Sequence, residues 1–147
     1  MVEVLHDVPG LDREDLDAVV QIQESGVTYR LLDPIAMLKA KAANIRRLNQ
    51  EGRHDRAHLQ IIARCVRPFL QDAHRQAVEN VSLREAFFKT LTRTFQTLRH
   101  RQTLKTLRQE AIQPVQLIPL ELPESPIEKV RTACQHQLPR LAIDAAR

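Results

Sequence analysis

The stretch Lys39-x-Lys41, Asn44, Gly52-Arg53-His54-Asp55 and His58 concentrates residue types that handle phosphate, protons and metals. If the chain folds back as a helix–turn–helix around Gly52, then Lys41, Arg53 and Asp55 converge at the turn. Lys and Arg there suit polyphosphate oxygens, and Asp55 would orient one of them. The plainer alternative is that Lys39 and Lys41 are solvated and Asp55 merely caps the second helix. His54 and His58 stand at i and i+4, on one face if both are helical, which is half of a zinc site. The intervening Asp55-Arg56-Ala57 lacks the glutamate of an HExxH motif, so no metal ligands are assigned. Ser25, Ser82 and Ser125 have no flanking glycines of a nucleophile elbow, which leaves a Ser-His-Asp triad without support.

A second feature is a run of charge. Between Ala86 and Gln109 there is no acidic residue, but there are six basic ones: Lys89, Arg93, Arg99, Arg101, Lys105 and Arg108. The formal charge of the whole chain is only +4, so the remainder is slightly acidic. The functional reading is a phosphate-facing patch for nucleotide or nucleic acid, with Arg99 and Arg101 as contacts. The alternative is a solvated helix face, helped by the preference of cations for helix C-termini.

Composition narrows the classes. At 147 residues the chain is one domain, or one domain with an appendage. Apolar residues make up 43% and charged residues 27%, so a core is expected rather than disorder. Aromatics are 3% with no Trp, which argues against base-stacking platforms. Three glycines leave no room for a Gly-rich phosphate loop. No apolar run approaches the ~20 residues of a membrane helix, and Met1–Leu5 is unlike a signal peptide. The expectation is a cytoplasmic protein in which Cys65 and Cys134 are free, buried small hydrophobes.

The elements that position these residues read as α+β, mostly α. Val2–Leu5 alternates as a short N-terminal strand. Asp12 caps a short helical turn through Leu16 and Ala18. Val19–Glu24 and Val27–Leu32, about Ser25-Gly26, form a β-hairpin. A bundle of four to five helices follows. Asp33-Pro34 starts the first, which ends at Asn49–Gly52. The second runs from about Asp55 to Leu70, kinked or divided at Pro68. Ser82-Leu-Arg-Glu85 fits a capping box opening a third, with Leu104 and Leu107 extending it or forming a separate helix. Residues 112–126, with four prolines, read as an extended connector. Pro126–Gln137 is the last helix, stopped by Pro139. Residues 1–32 thus form a small sheet region and 33–147 a helical domain.

The run Leu32-Asp33-Pro34, Met37-Leu38-Lys39-Ala40-Lys41, Asn44, Gly52-Arg53-x-Asp55-x-x-His58 resembles the later part of bacterial nucleotidyltransferase-like proteins, relatives of the abortive-infection toxins. The preceding hairpin and the closing Gln137-Leu138-Pro139-Arg140 look similar too. The resemblance implies a strand, a Gly-Ser turn and a helix, then a strand-borne carboxylate pair, then a third carboxylate strand and a helical half. Nucleotidyl transfer needs those carboxylates to hold two divalent ions.

This sequence has no Gly-Ser turn and no Asp-x-Asp on a predicted strand. By the resemblance it starts at the third carboxylate strand, with Glu3 at the matching position. Lys41 matches the family's helix lysine, and Arg53 and Asp55 match its Arg-Asp motif with His54 between them. His58 stands where related toxins often carry Asp. Glu3, Lys41 and Asp55 are therefore the candidate catalytic residues, and Lys39, Arg53, Arg99 and Arg101 the candidate phosphate contacts. The expectation is a chain inactive alone and without a cofactor of its own. An adjacent polypeptide would have to supply the missing half, with Mg2+ and a nucleotide. The competing expectation is a non-enzymatic helical module that binds nucleic acid or a partner protein through residues 89–108.

Overall fold

The structure is a computed structural model that describes Val8 and residues 10–147; the expected strand Val2–Leu5, with Glu3, lies outside the described residues. The chain is α+β and mostly α. A five-residue helix α1 (Arg13–Asp17) precedes the strands β1 (Val19–Glu24) and β2 (Val27–Leu32). The helices α2 (Pro34–Arg47), α3 (Asp55–Glu79), α4 (Arg84–Arg99), α5 (Arg101–Gln109) and α6 (Glu128–Ala146) follow.

The hairpin has the expected bounds, with Val20 opposite Leu31 and Ile22 opposite Tyr29. Ser25 and Gly26 both adopt positive φ (51° and 78°), as a two-residue turn needs to match the strand twist. Residues paired across the strands share a face, so Val20, Ile22, Val27, Tyr29 and Leu31 lie together. That apolar face is open: Ile22, Val27, Tyr29 and Leu31 are 43–50% exposed.

Helix starts follow local chemistry. Asp12 and Asp15 cap α1 reciprocally, each carboxylate accepting the other's backbone N–H at 3.0 and 3.1 Å. Asp33 accepts from Ala36 N at 2.9 Å and Pro34 occupies the first turn of α2. Gly10 has φ +86°, and a Cβ there would collide with Ala43 Cβ of α2. The approach of this loop to α2 therefore requires glycine.

The core is built by Ile35 and Leu38 of α2, Leu59, Val66 and Leu70 of α3, and Phe87, Leu91, Phe95 and Leu98 of α4. Leu107 of α5 and Val130, Cys134 and Leu141 of α6 close it. Their recurrence at three- and four-residue intervals is what one buried helix face requires. Buried His74 on α3 lies 2.7 Å through Nε2 from the Ser125 hydroxyl, tying α3 to the segment before α6.

Several helix boundaries differ from the sequence reading. Helix α3 continues through Pro68 to Glu79, and α6 continues through Pro139 to Ala146. Each proline removes one N–H, freeing the carbonyl four residues earlier. Those residues, Arg64 and Gln135, are exposed, as are both prolines, so water can satisfy the carbonyls. Ser82 caps nothing; Asn80 does, accepting from Ser82 N at 3.0 Å, and a 3-10 turn (Val81–Leu83) leads into α4. Of the two arrangements left open for Leu104 and Leu107, the separate helix is present, with α4 and α5 broken at His100. Residues 112–126 are not simply extended, since they hold 3-10 turns at Pro114–Leu117 and Leu122–Glu124. Cys134 is buried as expected, and burial pushes its thiol up to about 11, but Cys65 is exposed.

The largest departure is Arg93. It belongs to the basic run, yet its side chain is 10% exposed. Its guanidinium bonds Asp33 and reaches Asp15 at 3.5 Å, joining α4 to the caps of α1 and α2.

Two stability predictions result. Arg93→Ala leaves buried Asp33 without a cation and Asp15 with Lys39 alone, and should lower stability by about 3 kcal/mol; an unchanged urea midpoint would contradict the role assigned to Arg93. The end of α5 is a Schellman motif, with Ile112 N bonding Leu107 O at 2.8 Å and Ala111 N bonding Arg108 O at 3.1 Å. It places Ala111 at φ 56°, where an L side chain is strained. Ala111→Gly should raise stability by about 0.5–1 kcal/mol in the same measurement.

Candidate functional site

Helix α2 carries Lys39 and Lys41 toward different partners, and the turn at residues 48–54 brings Arg53 and Asp55 back to α2. Asp55 is the first residue of α3 rather than its cap; His54 holds the cap position and makes no side-chain cap bond. Lys41 Nζ donates to Asp55 Oδ1 at 2.8 Å, and Arg53 Nε donates to Oδ2 at 2.5 Å. The convergence expected from the spacing is therefore present. The Asp55 side chain is 3% exposed, against 28% for Lys41 and 39% for Arg53, so a buried anion is covered by two half-exposed cations. Burial alone would raise the Asp55 carboxyl. The hydrogen bonds and charges of Arg53 and Lys41 outweigh it and hold the pKa at about 2.

Lys39 is not part of that cluster. Its ammonium bonds Asp12 at 3.1 Å and also Asp15, behind α1. Burial draws its pKa down, but these two carboxylates raise it above the ordinary lysine value overall. Asn44 and Lys41 share an apolar groove of about 420 Å3 with His58 and Met37. The Asn44 Oδ1 atom is buried with no hydrogen-bond partner among the described residues.

The basic run divides in three. Arg93 is buried, as described. Arg99 is docked onto α6, donating to Asp144 Oδ2 at 2.7 Å and to Gln137 Oε1 at 3.0 Å. Arg108 donates to the carbonyls of Asp144 and Ala145 near the C-terminus of the same helix, at 3.4 and 3.2 Å. A cation there answers the unbonded carbonyls and the helix dipole. Lys89, Arg101 and Lys105 are exposed and make no ion pair among the described residues.

Arg101 and Lys105 line a cleft of about 470 Å3 together with Arg46 of α2 and Arg56 of α3. Arg56 is anchored by Glu110, Nη1 to Oε1 at 2.6 Å. The sequence reading placed Arg101 among the phosphate contacts but not Arg46 or Arg56. These two lie far from the run in sequence, and the packing of α2 on both α3 and α5 brings them to the cleft.

The described residues do not fit a divalent-cation site. No group of three His, Cys, Asp or Glu side chains stands together among them. Both oxygens of Asp55 already face cations. The chain does contain one Asp-x-Asp, Asp15-Leu16-Asp17, but it lies in α1 rather than on a strand, and Asp15 is engaged by Lys39 and Arg93. His54 and His58 have ring centroids 6.2 Å apart and no third ligand beside them among the described residues.

The depressed Asp55 carboxyl makes a pH prediction. A folded-state pKa below the unfolded value contributes stability above about pH 4, lost as pH falls toward 2. Asp55→Asn should therefore cost roughly 2 kcal/mol at pH 7 and much less at pH 2. An equal effect of the substitution at both pH values, in urea melts, would contradict the cluster's role. No family model matches the chain, and neither a curated protein nor a solved structure matches it.

Proposed function

We propose that this chain is the helical, non-catalytic part of a nucleotidyltransferase-like assembly and is inactive by itself. The observation that carries this reading is the convergence of Lys41 and Arg53 on buried Asp55, at the residues on which the resemblance rests. In that reading Lys41 is the residue nearest the chemistry. Asp55 positions Lys41 and Arg53 and is not a metal ligand, because both its oxygens are occupied. Mg2+ and nucleotide would be held by carboxylates of an adjacent polypeptide. The open apolar face of the hairpin offers that polypeptide's sheet a surface to cover.

The second reading is a non-enzymatic module that binds anions. It is favoured by the cleft lined by Arg46, Arg56, Arg101 and Lys105.

The purified chain should show no metal-dependent incorporation of labelled nucleotide. Co-expression with the polypeptide encoded immediately upstream should give a complex that incorporates it. Ile22→Asp with Tyr29→Lys, on the hairpin's apolar face, should abolish co-purification without unfolding the helices. Robust incorporation by the chain alone, lost in Glu3→Gln, would overturn this reading, as would failure of the two polypeptides to co-purify.

A further inference from the structure

We infer that the cleft between α2, the start of α3 and α5 is a binding site for the phosphate backbone of nucleic acid, read without regard to base sequence. The inference develops the second reading above and does not depend on nucleotidyl transfer. Arg46, Arg56, Arg101 and Lys105 come from three helices and line one concavity. Arg101 and Lys105 are one turn apart on α5, so their side chains leave the same helical face. Arg46, Arg101 and Lys105 have no carboxylate partner among the described residues. Arg56 keeps its charge in place through Glu110, which is only 10% exposed and does not line the cleft.

The rest of the lining identifies the ligand. Gln102, Gln109 and Thr106 add polar groups, while Ile45 is the one purely aliphatic residue, and no aromatic side chain is present. A base would find no aromatic ring to stack on. Phosphates, by contrast, meet several cations at once, and forked guanidinium groups match their oxygens. Neighbouring surfaces of the basic run contribute little, because Arg93, Arg99 and Arg108 are engaged within the fold. The site is therefore narrower than the basic run, and it includes residues outside that run.

Fluorescence anisotropy of a labelled mixed-sequence duplex, titrated with the full chain from 50 to 200 mM salt, tests this. Binding should weaken steeply with salt and be indifferent to base sequence. The double variant Arg101→Ala/Lys105→Ala should bind at least tenfold more weakly, with a log–log salt slope smaller by about 2. Arg46→Ala should give a smaller change in the same direction. Lys89→Ala, in the same run but outside the cleft, should match the wild type within twofold. All four side chains are exposed, and circular dichroism would confirm that each variant is folded. A flat salt response would overturn the inference. So would an unchanged double variant, or a Lys89 effect as large as its own. A single strand bound tenfold more tightly than duplex would show base contacts and contradict it. Binding of inorganic tripolyphosphate in the absence of duplex binding would reassign the cleft to small anions. Failure of the nucleotidyltransferase reading would leave these outcomes unaffected.

Discussion

The Arg93 guanidinium sits between the carboxylates of Asp15 and Asp33, all three nearly removed from water. A buried charge is tolerable only when paired and hydrogen-bonded, and here each carboxylate has a second duty at a helix start. Asp33 caps α2, and Asp15 completes the reciprocal cap of α1. The front of the molecule is thus fixed to α4 through the groups that begin its own helices. The position of β1 and β2 depends on this clamp, because the hairpin itself buries little. Its apolar face is open, and Asp33 N bonding Ala18 O at 2.9 Å closes its base.

The same constraint sorts the cations. A net charge of +4 gives no hint of how the positive side chains divide between structure and surface. Asp55 holds Lys41 and Arg53, Asp15 holds Lys39 and shares Arg93, and α6 holds Arg99 and Arg108. Arg46 on α2 and Arg101 and Lys105 on α5 gather around one cleft with Arg56, while Arg47 faces outward away from it. Electrostatic attraction of an anion is strongest where cations are close together and lack competing carboxylates. A run of charge in sequence therefore overstates the binding surface at some positions and omits it at others.

Local chemistry was legible in advance, and long-range pairing was not. The hairpin's bounds follow from alternation around Ser25-Gly26, and the start of α2 from Asp33-Pro34, because both signals act within a few residues. The meeting of Lys41, Arg53 and Asp55 was readable from one turn linking two adjacent helices. Proline misled the reading at residues 68 and 139, since its effect depends on which side of the helix faces water. Ser82 misled it because Asn80, two residues earlier, caps a 3-10 turn that takes in Ser82 and leaves α4 with no side-chain cap. The burial of Arg93 had no local signal at all: its partners are 78 and 60 residues away.

Arginine side-chain 15N–1H spectra of the full chain, recorded during titration with a mixed-sequence duplex, would test most directly how the cations are divided. The Nε resonances of Arg53 and Arg93 should exchange slowly with water before any addition and keep their shifts throughout. Those of Arg46 and Arg101 should exchange rapidly at first and move as duplex is added. Movement of Arg53 or Arg93, with Arg46 and Arg101 unaffected, would contradict the account.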